Sequence, residues 1–125
     1  MKVIILFALL ATVCLANKAF QYTIDTVNAT ETVNMGEGFR IELKSNPSTG
    51  FRWELLTIPE NVDSLSNDKY GEFVGSNNNL MGAGGKQAYS FTATKAGFQK
   101  LKFVYMRPWT NEGSSNLEVS INIFP

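Results

Sequence analysis

The chemistry open to this chain is limited by two residue counts. The sequence has no histidine, and its one cysteine is Cys14. These counts exclude sites in which histidine activates a serine or a cysteine, and zinc sites built on histidine and cysteine. A carboxylate pair of the kind that glycosidases use is still open, but only Glu112 lies in a segment suited to binding. We therefore expect a binding protein with no metal and no cofactor, and not an enzyme.

Three segments carry residues that suit binding. Residues 46–50 read NPSTG, residues 75–85 read GSNNNLMGAGG, and residues 107–115 begin with RPW; we name them the NPSTG, GAGG and RPW segments. The GAGG segment is longer than the about 2 to 5 residues usual in a hairpin loop, and its apolar pair lies where no strand needs it. Exposed apolar and aromatic residues on the loops of a rigid scaffold usually mark a binding surface.

The NPSTG segment has the composition of a rigid polar turn. Pro47 fixes its own φ and restricts Asn46, while Gly50 can adopt a φ that other residues resist. The hydroxyl groups of Ser48 and Thr49 can donate and accept hydrogen bonds with polar groups of a partner. Taken alone, however, these residues favour an ordinary β-turn in which the asparagine side chain braces the backbone.

The other two segments also have plain structural alternatives. Trp109 could be exposed and stack on a partner, or it could fold back over the end of the domain as a core residue, and the segment alone does not decide between these. The GAGG segment could pair its bare backbone with a partner, or it could be a loop without function. A phosphate-binding loop is disfavoured because neither a helix pattern nor a Lys-Ser/Thr pair follows.

Strands position these segments, because apolar and polar residues alternate along most of the chain. The alternation predicts strands at residues 38–44, 51–56, 86–94, 99–106 and 116–124, weaker strands at 22–27 and 69–74, and at most a helical turn at 60–65. About seven short strands in about 100 residues are typical of an all-β, immunoglobulin-like antiparallel β-sandwich, with Trp53 in its core. Successive strands run up and down in such a sandwich, so the three segments share one end.

The first 16 residues have the pattern of a secretory signal peptide. A short basic start precedes an almost wholly apolar run that ends in small residues, and the run is shorter than the roughly 20 residues of a membrane span. We expect cleavage after Ala16, with Ala19 as the alternative, and a single domain at residues 17–125. We expect a monomer without membrane attachment that is secreted or held in lysosome-like or phagosomal vesicles.

The charge balance argues against nucleic acid as a partner. The chain has 11 basic and 11 acidic residues, and removal of Lys2 with the signal peptide leaves 10 against 11, a net charge of −1. There is then no basic excess to neutralise phosphates. Cys14 would leave with the signal peptide as well, so the core of the domain must be stable without a disulfide.

In this order and on these three connections, the NPSTG, GAGG and RPW segments resemble the chagasin family of cysteine peptidase inhibitors. The resemblance covers the chain from about Tyr22 to Phe124. It implies a reversible, tight-binding inhibitor of papain-like cysteine peptidases, cathepsin-L-like or similar, that fills the active-site cleft with three loops and is not consumed as a substrate. Ser48 stands where the family pattern has a threonine, and we expect this change to cost some packing but not the function.

The resemblance also implies a role for each segment. The NPSTG segment approaches the catalytic cysteine and histidine of the peptidase, the GAGG segment fills the non-primed side of the cleft, and the RPW segment takes the primed side. Met81 is favoured over Leu80 for the apolar specificity pocket. The residues expected at the interface are Asn46, Pro47, Ser48, Thr49, Gly50, Leu80, Met81, Gly82, Ala83, Gly84, Gly85, Arg107, Pro108 and Trp109. An immunoglobulin-like adhesion or ligand-binding module is the alternative, because it would use the same fold and the same end.

Overall fold

The described part of the chain consists of strands joined by turns and short irregular connections. The computed structural model describes residues 18–46, 49–65, 68–75, 85–110 and 112–125, and only the backbone of residues 112–114. These ranges contain nine strands: β1 (Lys18–Tyr22), β2 (Asn28–Asn34), β3 (Gly38–Ser45), β4 (Arg52–Thr57), β5 (Val62–Ser64), β6 (Glu72–Val74), β7 (Gly85–Ala93), β8 (Gly97–Arg107) and β9 (Glu112–Phe124). The signal peptide predicted for residues 1–16 lies outside the described residues.

The strands form two sheets that face each other. One sheet has the order β1-β3-β7, and the far side of β7 pairs with both β5 and β6. The other sheet has the order β2-β9-β8-β4. The edge strands β1 and β2 run parallel to their neighbours, and the remaining pairs are antiparallel. This arrangement confirms the predicted all-β sandwich, with nine strands rather than about seven.

The core lies between the sheets because every second residue of each long strand points inward. Trp53 is fully buried there, as the sequence predicts. Phe39 stacks on Phe91 within one sheet, with ring centroids 5.3 Å apart, and Tyr89 meets Phe103 of the other sheet at 5.0 Å. The sandwich is therefore held by one continuous cluster of apolar side chains.

The strand predicted at residues 22–27 is wrong. The chain instead turns after Tyr22: Thr26 N–H donates to the carbonyl of Thr23 at 3.1 Å, and β2 follows. The pattern of β2 is hard to recognise because Glu31 faces the interior side of the strand, where it accepts a hydrogen bond from the hydroxyl of Tyr22. The residues predicted as one strand are thus mostly the turn between two strands, β1 and β2, which belong to different sheets.

Two other predictions are corrected on the far side of β7. The helical turn predicted at residues 60–65 is wrong, because these residues contain β5, which pairs with residues 91–93. The strand predicted at residues 69–74 is shorter than expected and begins only at Glu72. The backbone before it turns at Gly71, whose φ is 65° and whose N–H donates to the carbonyl of Asp68.

The three binding segments do share one end of the sandwich, which we name the loop end. Ser45 at the end of β3 pairs with Gly85 at the start of β7, and β6 ends beside Lys86. In the other sheet, β4 begins at Arg52 beside Met106, near the end of β8. The RPW segment is tighter than predicted, because β8 continues to Arg107 and β9 already begins at residue 112.

Candidate functional site

The described part of the NPSTG segment is a turn with hydrogen bonds at its base. The carbonyl of Asn46 accepts hydrogen bonds from the N–H of Thr49 at 3.1 Å and from its hydroxyl at 2.8 Å. Asn46 N–H donates to the hydroxyl of Tyr105 on β8 at 3.3 Å. Pro47 and Ser48 lie outside the described residues. The turn is therefore anchored to the opposite sheet at its first residue.

Gly50 closes the turn and brings it against the RPW segment. Its φ is 83°, in the left-handed region that favours glycine. A Cβ atom at this position would lie 2.6 Å from Cη2 of Trp109. Any larger residue would thus strain the backbone and displace the indole. Glycine is required here for both its conformation and its small size.

Trp109 is a surface residue and not a core residue. It is 69% exposed, although one edge of its indole rests on Gly50. The RPW segment turns tightly, because the carbonyl of Arg107 accepts hydrogen bonds from the N–H of Thr110 at 3.2 Å and from its hydroxyl at 3.3 Å. This excludes the alternative in which Trp109 folds into the sandwich.

A column of stacked side chains connects the core to these two segments; we name it the aromatic column, made of Trp53, Tyr105, Phe51 and Arg107. Trp53 meets Tyr105 with ring centroids 5.0 Å apart, and Tyr105 stacks on Phe51 at 5.4 Å. The guanidinium of Arg107 lies 4.5 Å from the centre of the Phe51 ring. A cation and the face of an aromatic ring attract each other. Arg107 therefore helps to hold Phe51 within the molecule, a role that its sequence position did not suggest.

Of the GAGG segment, the structure describes Gly75 and Gly85 at its two ends; Leu80, Met81, Gly82, Ala83 and Gly84 lie outside the described residues. Gly85 is the first residue of β7. A Cβ atom on Gly85 would lie 2.6 Å from the carbonyl oxygen of Val74. This glycine therefore lets β6 and β7 approach closely, which is a structural reason for its presence apart from any contact with a partner.

Gln87 ties the base of the GAGG segment to the opposite sheet. Gln87 is fully buried. Its side-chain carbonyl oxygen accepts a hydrogen bond from the backbone N–H of Trp53 at 2.6 Å, and its side-chain NH2 group donates to the backbone carbonyls of Trp53 and Tyr70 at 2.8 Å each. The side chain thus provides hydrogen-bond partners for backbone groups on the free edge of β4, as a neighbouring strand would. This role of Gln87 was not predicted from the sequence, although a glutamine among the inward-facing residues of a strand is a signal for such a bond.

Tyr89 supports the same edge from two residues further along β7. Its hydroxyl donates to the carbonyl of Lys69 at 2.9 Å and lies 3.2 Å from that of Trp53. Burial raises the pKa of Tyr89 above its usual value, so the hydroxyl stays protonated and remains a donor.

The principal charged cluster near the GAGG segment surrounds Glu42 on the outer face of β3. Its carboxylate lies 2.9 Å from Lys86 Nζ and 3.0 Å from Arg40 Nε, and it accepts a hydrogen bond from Gln21 at 2.9 Å. The hydrogen bond from Lys86 lowers the pKa of Glu42 the most, and the carboxylate stays charged. The cluster joins three strands and has no arrangement suited to catalysis.

The described ranges contain no group of three or more Asp, Glu, His or Cys side chains that could hold a metal ion. Nor does any helix there have the length and apolar character needed to cross a membrane.

Comparisons with known proteins agree with the geometry. The family described as "Chagasin family peptidase inhibitor I42" matches residues 32–123. Amoebiasin-1 of Entamoeba histolytica is 33% identical over 104 residues, which cover 81% of this chain and 96% of the relative. Chagasin of Trypanosoma cruzi is 36% identical over 83 residues, or 66% of this chain and 76% of the relative.

Among solved structures, the fold resembles that of the cysteine protease inhibitor EhICP2 from Entamoeba histolytica. The TM-score is 0.68 at 21% sequence identity, and the match covers 86% of this chain and 96% of the other. At this identity the likeness concerns the fold, and it supports the two-sheet arrangement described for β1 to β9.

Proposed function

Because this chain belongs to the chagasin family of peptidase inhibitors, we propose that it blocks papain-like cysteine peptidases by placing the NPSTG, GAGG and RPW segments in their active-site cleft. The protein is an inhibitor of cysteine peptidases and not an enzyme. The proposal concerns how it inhibits: the three segments enter the cleft together, Gly50 and Trp109 are already in contact before binding, and the inhibitor leaves the complex uncut.

The observation that carries this proposal is the contact between Gly50 and Trp109. It joins two segments that are far apart in the sequence, and the aromatic column supports both from below. A surface assembled before binding loses little conformational entropy when the complex forms, and this favours tight binding. Trp109 is the largest exposed side chain of the surface, and tryptophan is enriched among residues that dominate binding energy.

The turn at Asn46 also suggests why the inhibitor is not a substrate. A peptidase cleaves a peptide bond that is presented in an extended conformation, whereas the carbonyl of Asn46 is engaged by the backbone and hydroxyl of Thr49. These bonds hold the backbone in a turn, and Tyr105 fixes its first residue. The turn can therefore occupy the reactive centre without presenting a peptide bond for attack.

The experiment is an inhibition assay with the protein lacking residues 1–16. The inhibitor is titrated against papain or a cathepsin-L-like peptidase, and hydrolysis of a small peptide substrate is followed. We expect reversible, competitive inhibition and full recovery of the intact inhibitor, checked by mass spectrometry. Absence of inhibition at micromolar concentration would favour an adhesion or ligand-binding module, and a cleaved inhibitor would indicate a slow substrate.

We also propose that residues 1–16 direct the chain into the secretory pathway, where it is secreted or held in lysosome-like or phagosomal vesicles. The support is the basic start and apolar run of these residues. Expression of the full chain in a eukaryotic cell, followed by determination of the first residue of the mature protein, tests this. A protein that retains Met1 in the cytosol would refute the proposal.

A further inference from the structure

The turn between β1 and β2 lies at the loop end of the sandwich; we name residues 23–27 the Ile24 turn. β1 runs parallel to β3, and Tyr22 pairs with Leu43. Leu43 lies two residues before Ser45, where β3 ends at the loop end, so the chain leaves β1 close to the NPSTG segment. The chain then enters β2 and runs away from the loop end. The Ile24 turn is therefore a fourth connection on the same end as the three binding segments.

The Ile24 turn has a defined shape. Thr26 N–H donates to the carbonyl of Thr23 at 3.1 Å, and Asp25 N–H lies 3.4 Å from the Thr23 hydroxyl. At its end, the carbonyl of Val27 accepts a hydrogen bond from Glu118 N–H on β9 at 2.9 Å. The backbone of the turn is thus fixed at both ends before any partner binds.

Ile24 is an unusual residue for this position. It occupies the second place of a four-residue turn, where glycine, proline, asparagine, aspartate and serine dominate. Its side chain is 45% exposed and leaves much of its apolar surface in water. A single exposed apolar residue is ordinary on a protein surface. The position of Ile24 beside the NPSTG segment, and not its exposure, therefore points to contact with another molecule.

The Ile24 turn and the NPSTG segment are continuous through a recess of about 380 Å³. Thr23, Ile24 and Asp25 line one side, and Lys44, Ser45, Asn46 and Tyr105 line the other. Tyr105 belongs to the aromatic column and also accepts the hydrogen bond from Asn46. A partner that receives the NPSTG segment would therefore come close to Ile24.

From this geometry we propose that the Ile24 turn is a fourth contact with the target peptidase. Ile24 packs against an apolar part of the cleft wall beside the reactive centre, where the recess lies against the NPSTG segment. The partner is the same papain-like cysteine peptidase, so this inference rests on the proposed binding mode. It follows from the position of the turn at the loop end and from its continuity with Asn46.

The test compares Ile24→Asp and Ile24→Ala with the unchanged inhibitor in the assay against a papain-like peptidase. Ile24→Asp should raise the inhibition constant roughly tenfold or more, since a carboxylate would have to be buried, and Ile24→Ala roughly fivefold. The increase should come mainly from faster dissociation, which a dilution assay measures. Thermal unfolding of each variant shows that the fold is retained.

Met35→Asp is the matched control. Met35 is 50% exposed and lies in the turn between β2 and β3 at the other end of the sandwich. The Met35→Asp variant should therefore have the same inhibition constant as the unchanged protein. Unchanged constants for both Ile24 variants would overturn the fourth contact. If Trp109→Ala weakens inhibition in the same series, the three-segment binding mode stands without it. If Trp109→Ala is also silent, the proposed binding mode fails as well.

Discussion

The two ends of the sandwich each contain a turn that depends on a left-handed glycine, but the two glycines have different surroundings. Gly36 lies between β2 and β3 with a φ of 88°, and Gly50 lies at the loop end with a φ of 83°. A Cβ atom at Gly36 would meet nothing within 4 Å, whereas one at Gly50 would lie 2.6 Å from the indole of Trp109. Backbone conformation alone accounts for Gly36, while Gly50 also makes room for another loop.

Exposure does not distinguish the two ends, but contacts do. Large apolar residues are exposed at both, for example Met35 at 50% and Trp109 at 69%. At the loop end, however, the exposed tryptophan rests on Gly50 of a neighbouring segment, and the next residue, Phe51, stacks on Tyr105, whose ring contacts Trp53 in the core. The proposed binding surface therefore differs from the opposite end in how its loops support one another, and not in the exposure of its apolar residues.

The largest effect on stability should come from Gln87→Met, which removes the buried bonds near the loop end while nearly keeping the volume. Trp53 N–H and the carbonyls of Trp53 and Tyr70 would lose this partner. We expect the free energy of unfolding to fall by about 3 kcal/mol, measured by chemical denaturation.

Asn61→Ala is the comparison at the opposite end. Asn61 donates to the carbonyl of Ala96 at 3.0 Å in an exposed setting, where water can replace it. We expect a loss below about 1 kcal/mol. Equal losses for Gln87→Met and Asn61→Ala would show that the buried bonds do not set the loop end apart.

Trp109→Ala should have the largest effect on inhibition. We expect the binding free energy to weaken by about 2 kcal/mol, or roughly 30-fold in the inhibition constant. Stability should change little because most of the indole is in water. Met35→Ala at the opposite end should leave inhibition unchanged. If Trp109→Ala keeps both its fold and its inhibition constant, Trp109 has no part in the mechanism.

A smaller effect, and the most direct test of the comparison, comes from Gly50→Ala beside Gly36→Ala. Both changes place a side chain on a left-handed backbone, and each should lower stability by about 1 kcal/mol. Only Gly50→Ala must also displace the indole of Trp109, so only this variant should inhibit more weakly, by roughly fivefold. The same inhibition constant for both variants would mean that the contact between Gly50 and Trp109 is incidental.

The long strands could be predicted from the sequence because apolar residues line one face and polar residues line the other. Residues 38–44 and 99–106 alternate strongly, and β3 and β8 extend these predictions by at most two residues at each end. The prediction failed where the signal is weak. β5 has only three residues, and β2 turns Glu31 toward the interior side, where Tyr22 donates a hydrogen bond to its carboxylate.

The shared end of the three segments could also be predicted, since it follows from the order of the strands. The contacts that join the segments could not be predicted. The stacking of Phe51 on Tyr105 lies at neighbouring strands of one sheet, and the bonds of Gln87 cross from one sheet to the other, so both depend on distances between residues far apart in the sequence. Alternation shows that these side chains point inward, but not which groups they meet. The reason for Gly85 is likewise a close approach to Val74 that only three-dimensional packing reveals.

The smallest effect should be that of mild acid. The chain has no histidine, so it lacks the side chain that ordinarily changes charge between about pH 5 and 8. The pKa of Glu42 is lowered, chiefly by Lys86, so its ion pairs stabilise the fold fully above the ordinary carboxyl pKa. That contribution is lost only as the pH falls through the lowered pKa. We expect the inhibition constant to be nearly the same at pH 7 and 5.5, after correction for the titration of the peptidase.

Glu42→Gln tests the cause. It should lower the melting temperature at pH 7 and make it less sensitive to pH below about 4.5, where the unchanged protein loses its ion pairs. Glu37→Gln is the control at the opposite end, because Glu37 pairs with Lys18 at 3.4 Å in a more exposed position and should matter less. A steep loss of inhibition between pH 7 and 5.5 would contradict this account. It would require another group at the loop end to titrate in that range, and the charge on Glu42 could not then be what preserves the surface in acid.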